Sequence, residues 1–432
     1  MSFATQRELE RVRPSSVAQH VLAGLLTAIA SSYSLLAVPA MLHSLLGVPY
    51  AGALTGTVLL ASSMTILMGA YAKLPFVIVP SLGTCAVIAA MVANQHIPWQ
   101  SALAVSFWTG IGFIVISFTS VREAIAVAIP RTVREAAVVG TGLLLIKAAL
   151  TMEGMIWTNG EASLEPDWPL CLVGVVAALV ASRYVPSKSL VIGICASTLA
   201  ALLFHRFRVP ETVLSYPEFS TSAPNLRYLD ALSLGMVPVM LSIFCTDLVD
   251  SVATFVSVSQ SMGLVKDDRP QNLERGMLVD SLATFVAGIF GTTPGSTSLQ
   301  SVVASESAEP SGATAVCAGL WFLPCLVLAP MAAAVPNAAI AATLIVVGLK
   351  LVKHINSFVA DLRTFRLGTA STALGTIAVV CVRDSLLEGV LFGATLWIGG
   401  KALRGSWKDL SVCRCSLAGI AIAYLVHQLV TS

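Results

Sequence analysis

Charge is scarce in this chain. Asp, Glu, Lys and Arg make up 11% of 432 residues, against roughly 25% in soluble globular domains. A chain so poor in charge cannot coat a water-facing surface, and its mean hydropathy is +0.84. Alternating ten-residue strands are also missing, which excludes a transmembrane β-barrel. There is no phosphate-binding loop, no nucleophile elbow, no HExxH and no GxGD. An ATP-driven pump and the intramembrane proteases therefore lack their machinery. No enzyme activity, metal or cofactor is expected. The six His residues lie mostly at segment ends, without metal-ligand spacing. The nine Cys residues lie mostly inside apolar runs, and Cys413 and Cys415 are too close together for a staple. A net charge of +2 says nothing about partners, and no nucleic-acid partner is expected. The first residues, MSFATQRELERVRPSS, contain no cleavable apolar region, so 1–19 reads as a cytoplasmic tail.

What is present is apolar sequence in long runs: 56% of residues are hydrophobic. Many runs approach the roughly 20 residues that cross a hydrocarbon core as helix. The expected fold is all-α and polytopic, with about 14 membrane segments. They are placed near 20–42, 50–71, 76–94, 101–120, 132–151, 169–185, 188–205, 231–262, 274–290, 295–306, 312–334, 336–352, 368–382 and 385–403. A further apolar run, 414–430, lies in the C-terminal segment 404–432. With the N-terminus in the cytoplasm, 20 of the 25 Lys and Arg fall on that side. Arg206, Arg208, Arg227 and Arg383 fall outside, and Lys147 lies within a span. That bias sets the orientation in an inner or plasma membrane.

The polar loop 206–230 divides the segments into seven and seven. An odd number per half gives the halves opposite orientations, the arithmetic of an inverted repeat. The third segment of each half is interrupted. In the first half it reads PFVIVPSLGTCAVIAA (75–90), broken at Pro80, Ser81 and Gly83. In the second it reads GTTPGSTSLQSVVASES (291–307), broken at Pro294 and Gly295. A break frees backbone N–H and C=O groups that lipid cannot satisfy, so it must face protein or water. Matched breaks, each opening a half-helix, mark a mid-membrane binding site. The small residues Gly291, Gly295, Ser296, Thr297 and Ser298 let two breaks approach closely.

Few ionisable groups lie inside the spans. Segment eight carries CTDLVDSVATF, with Asp247 and Asp250 at i and i+3 on one helical face. Asp250 is the leading functional carboxylate, with Asp247 its alternative. Asp280, near the start of segment nine, reads as a structural brace. Tyr33, Ser31 and Ser32 interrupt segment one, either lining the same cavity or holding helices together.

These residues resemble the nucleobase–ascorbate (xanthine/uracil permease) superfamily, and within it the adenine–guanine–hypoxanthine permease branch. AGLLTAIASSYSLLAVPAML (23–42), LPFVIVPSLG (74–83), TDLVDSVATF (246–255), LVDSLATFVAGIFGTT (278–293) and VPNAAIAATLIVVGLKL (335–351) carry the resemblance. It implies a core domain, here 20–120 and 231–334, and a gate domain, 121–205 and 336–403, joined by the extracytoplasmic linker 206–230. It implies a homodimer in the bilayer that takes up a purine base with protons. The implied substrate residues are Asp250, Gln300, Thr297, Ser298, Ser81, Gly83, Thr84, Cys85 and Tyr33, with Asp250 or Asp247 carrying the proton. Three positions depart from the branch: Gln300 replaces a glutamate, Val249 a phenylalanine and Cys85 an asparagine. An amide pairs with a purine edge but carries no proton. The alternative reading is an anion exchanger or uniporter on the same general fold, since Gln300 removes a fixed negative charge. A non-transporting receptor is the third reading.

Overall fold

The computed structural model describes residues 16–95, 97–117, 130–152, 157–158, 161–162, 167–205, 210, 212–219, 225–266, 269–353, 367–383 and 386–403. The expected N-terminal tail and the C-terminal segment 404–432 lie outside them, apart from 16–19.

Helices dominate, in the order that the apolar runs give. The first half holds α1 (Val17–Leu46), α2 (Tyr50–Leu67), strand β1 (Ile78–Pro80), α3 (Leu82–Gln95), α4 (Trp99–Ser117), α5 (Arg131–Thr151), α6 (Trp168–Tyr184) and α7 (Ser189–Leu203). The second holds α8 (Val237–Ser261), α9 (Leu273–Phe290), strand β2 (Gly295–Thr297), α10 (Ala304–Ser307), α11 (Gly312–Phe322), α12 (Asn337–Val352), α13 (Leu367–Arg383) and α14 (Leu386–Leu403). By length and composition Val17–Leu46, Tyr50–Ala72 and Trp99–Ser117 are each long and apolar enough to cross a membrane. Several others are shorter apolar helices.

Local chemistry sets the ends. Ser16 and Gln19 form a reciprocal cap on α1, and Gly47 closes it with φ +72°. Two segments start or end differently from the sequence reading. Residues 230–236 form 3₁₀ turns, so α8 begins at Val237 and not at 231. Segment eleven's first helix stops at Phe322 and the chain continues as a 3₁₀ turn (Leu323–Leu326) and a five-residue α-helical turn (Ala329–Ala333). Pro324 and Pro330 lack the N–H that a continuous helix needs.

The two interrupted segments meet, and a helical element opens after each break. What the sequence reading did not contain is the extended backbone before each helix. Each segment is a three-residue strand running into a helix, and the strands pair antiparallel with each other: Ile78 opposite Thr297, Val79 opposite Ser296, Pro80 opposite Gly295. The linker is not free either. Ser215 N donates to Val327 O (3.0 Å), Glu218 N to the Thr55 hydroxyl (3.2 Å) and Arg227 N to Gln100 O (3.3 Å). It straps the ends of α2, α4 and the turns after α11.

The helices pack in two sets. In one, α1, α2, α4, α8, α9 and α11 touch: α4 with α9, α11 with α2 and α1, α8 with α4. In the other, α5 packs on α12, α13 and α14, while α6, α7 and α12 pack together. Glycines let backbones meet within both sets. A Cβ on Gly348 would lie 2.5 Å from the Gly142 carbonyl oxygen, joining α12 to α5. Gly312 of α11 meets the Gly69 carbonyl, at the end of α2, in the same way.

These contacts give a stability prediction. Gly312→Val drives a side chain into a backbone carbonyl that cannot swing away, at a cost of about 3 kcal/mol or more. Gly112→Ala, where a Cβ meets nothing within 4 Å, gains helix propensity of about 0.5–1 kcal/mol. Thermal unfolding of the purified protein in detergent checks both, with the first variant lowered and the second unchanged or raised.

Candidate functional site

The strand pair is the frame of the site. In β1 and its flanks nearly every backbone polar group has a named partner. Val77 N donates to Ser301 Oγ (2.9 Å), and Val77 O accepts from Ser298 N (2.8 Å). The Thr65 hydroxyl both accepts from Ile78 N and donates to Ile78 O, each at 3.0 Å. Ser34 donates to Pro80 O (2.6 Å), and Ser81 N donates to Pro294 O (2.9 Å). With the 77/298 and 81/294 pairs bonded, the alternation of an antiparallel ladder makes 79/296 the bonded pair between them. Pro80 falls at a position that needs no donor. This is how an extended segment survives among helices that present no backbone donors.

Asp250 reaches this frame from α8. Its Oδ2 accepts from the Ser81 hydroxyl (3.1 Å) and the Ser296 hydroxyl (3.2 Å), one from each half of the chain. Ser81 Oγ also accepts from Thr84 N (3.2 Å), capping α3. Ser298 repeats that arrangement in the second half: its Oγ accepts from Gln300 N (3.3 Å) at the head of the 3₁₀ turn Leu299–Val303. The Gln300 side-chain oxygen accepts from Ser298 Oγ (2.7 Å) and Tyr33 Oη (3.3 Å). Ser31 Oγ lies 3.5 Å from Ser298 Oγ. Among the described residues the Gln300 amide nitrogen has no hydrogen-bond partner.

Strand alternation sorts the expected site residues. Ser296 and Ser298 are two apart in extended backbone, so their hydroxyls share one face about 7 Å apart. Asp250 and Gln300 therefore sit side by side on that face. Thr297 points to the opposite face, where it is buried against Ile78 and its hydroxyl has no partner among the described residues. Cys85 is fully buried in the apolar cluster that also holds Val87, Met41 and Leu144. Thr84 is fully buried as well. Gly83 faces another helix: a Cβ there would lie 2.8 Å from Thr141 Cγ2 of α5. Tyr33 packs against the cluster of Ala178, Leu190 and Val346, so it joins Gln300 to α6, α7 and α12. Ser296 was read only as a small residue. Period-two spacing with Ser298 would have placed it, had the stretch been read as a strand.

Asp247 does not share the site of Asp250. Its Oδ2 accepts from the Thr284 hydroxyl of α9 (2.5 Å), and it is 1% exposed. One turn of α8 thus aims one carboxylate at α9 and the other at the strand pair. Asp280 is equally buried, one turn before Thr284 on α9. The side chain of Val249 lies outside the described residues.

A family model described as the Permease family (xanthine/uracil permease) matches residues 18–363. The chain belongs to this family. It is a multi-pass membrane permease, not an enzyme. It is 26% identical over 412 residues to the guanine/hypoxanthine permease PbuO of Bacillus subtilis, covering 92% of this chain and 94% of that one. It is 27% identical over 416 residues to the guanine/hypoxanthine permease GhxP of Escherichia coli O157:H7, covering 93% and 91%. The fold matches the transmembrane domain of the cyanobacterial bicarbonate transporter BicA with a TM-score of 0.65, at 15% identity, covering 87% and 97%.

The geometry separates the two aspartates of α8 experimentally. Thr284→Val removes the donor to Asp247 from a buried position and lowers stability by about 1–3 kcal/mol. Substrate affinity, measured on the folded fraction, stays within a factor of two.

Proposed function

We propose that the permease is a secondary transporter that carries a purine base, or a closely related neutral heterocycle, by proton-coupled alternating access. The observation that carries this reading is the shared face of β2. There a carboxylate held by Ser81 and Ser296 stands beside an amide with a free N–H₂. The carboxylate accepts from ring or exocyclic N–H groups. The amide nitrogen donates to a ring nitrogen or carbonyl. Their spacing suits the two edges of a flat heterocycle. The guanine and hypoxanthine named for PbuO and GhxP have such edges.

The same reading assigns the two helix sets to a core and a gate. Contacts recur when each helix is exchanged for the one seven places later. The α4–α9 contact becomes α11–α2, α6–α7 becomes α13–α14, and α1–α7 becomes α8–α14. That exchange supports fourteen segments in a 7+7 inverted repeat. Substrate would sit on the core, where Gly83 and Tyr33 meet α5 and α12, and motion of core against gate would expose it alternately. The homodimer and the cytoplasmic N-terminus belong to this proposal too.

The anion reading fares worse. Ser81 and Ser298 already cap their helical turns, and Asp250 occupies the place beside the α3 N-terminus where an anion would be drawn. Uptake of radiolabelled purines into cells lacking purine permeases, with and without a protonophore, tests the whole proposal. Uptake competed by hypoxanthine or guanine and abolished by the protonophore is the expected result. Competition by inorganic anions alone would overturn it.

Two substitutions sharpen the test. Asp250→Asn keeps the shape but removes the titratable group, so accumulation falls at least tenfold while substrate exchange between preloaded vesicles persists. Gln300→Ala leaves a buried substrate group unpaired and weakens affinity by about 1–3 kcal/mol, read as a rise in KM of roughly 5- to 150-fold. Gln300→Glu is tolerated by a neutral substrate and makes uptake fall as pH rises.

A further inference from the structure

The outer face of the α6–α7 hairpin carries a groove of about 590 Å³, lined by Leu172, Val173, Val176, Ala177, Val180, Ala181 and Ile192. Leu172, Val176 and Val180 are each more than half exposed. Along α6 the groove runs from residue 172 to 181, about 14 Å. One end meets the turn between the helices, where Val180 precedes Arg183 by one turn and Ile192 follows Lys188 by one.

That turn collects positive charge. Arg183 lies in the last turn of α6, and Lys188 ends the short 3₁₀ helix Pro186–Lys188. Lys350 of α12 donates to the Ser189 hydroxyl at the head of α7 (3.1 Å), which brings it to the same place. Lys353 follows within electrostatic reach of Lys350. Residues 168–205 and 336–353 contain no Asp or Glu at all. None of the four cations is ion-paired among the described residues. Clustered like charges repel, so an anion brought from outside would stabilise this arrangement.

We propose that this face binds one anionic phospholipid of the bilayer, its acyl chain in the groove and its phosphate on Arg183, Lys188, Lys350 and Lys353. The groove supplies apolar area that any lipid would cover. The four cations discriminate for a headgroup of net negative charge, each contributing most where it is near the membrane surface. The charge distribution assigns this end to the cytoplasmic side, where anionic headgroups are expected. The site lies on helices of the proposed gate and uses none of the residues at the strand pair. Occupancy by lipid therefore stabilises the scaffold against which the core would move.

The test is thermal unfolding of the full chain in nanodiscs of phosphatidylcholine, with and without phosphatidylglycerol. The wild type gains about 3–5 °C from phosphatidylglycerol. The triple variant Arg183→Gln, Lys188→Gln, Lys353→Gln loses that increment. The increment is read within each variant, so a lower baseline does not confuse it. Val176→Trp, which fills the groove and spares every cation, also loses it. Equal unfolding temperatures in both lipids, or an increment that survives the triple variant, would overturn the proposal. So would full reproduction of the increment by inorganic phosphate in phosphatidylcholine discs, since a free anion needs no groove. A Val176→Trp variant that converts a dimer to a monomer without changing the increment would assign the groove to a second copy and overturn it equally.

Discussion

Unpaired backbone in a bilayer costs several kcal/mol for each group, and the pairing of β1 with β2 removes that cost for both interrupted segments at once. Every other feature of the site follows from it. The two strands place Ser81 and Ser296 where one carboxylate oxygen reaches both. Thr65, Ser34 and Ser301 complete the accounting from α1, α2 and the turn after β2. A frame built this way is fixed by main chain, with the side chains of Asp250 and Gln300 at its edge.

The two halves of the chain contribute unequally to the site. Its first-half contribution is a helix start, Ser81 with Thr84 behind it, followed by the 14 residues of α3. Its second-half contribution is a five-residue 3₁₀ turn followed by the four residues of α10. The carboxylate stands beside the longer helix, whose aligned dipoles favour a negative charge. The amide stands on the shorter turn, where no comparable field exists. Gln300 is suited to that position: it needs no electrostatic support and still offers a donor.

Much of this was legible in the sequence, and the limits were specific. Long apolar runs gave the helices nearly in their observed places, because the only spanning structures lipid allows are those that pair their own backbone. Pro80, Pro294 and the small residues around them marked the crossing point. Their conformation was not legible, since a three-residue strand leaves too short a pattern to separate from a kinked helix. The error carried into side-chain direction: Thr297 was grouped with Ser298, although alternation turns them to opposite faces. Asp247 and Asp250 were grouped by helical spacing, yet the neighbours of α8 differ within one turn. Helix spacing says which residues share a side, but the packing partner on that side comes from the tertiary fold.

The partners at the strand pair are more than 200 positions apart in the chain: Val77 with Ser301 and Ser298, Ser81 with Pro294. During synthesis Thr65 and Ser34 are already in place for Ile78 and Pro80, but the partners of Val77 and Ser81 come more than 200 residues later. Until the residues after the ninth helix have been made, the backbone groups of Val77 and Ser81 must stay hydrated or be sheltered by the insertion machinery. The first seven helices thus leave part of the first strand unpaired on their own. Biogenesis of such a protein is limited by the latest-arriving strand, and a ribosome stalled before residue 294 leaves a product that quality control has a physical reason to remove.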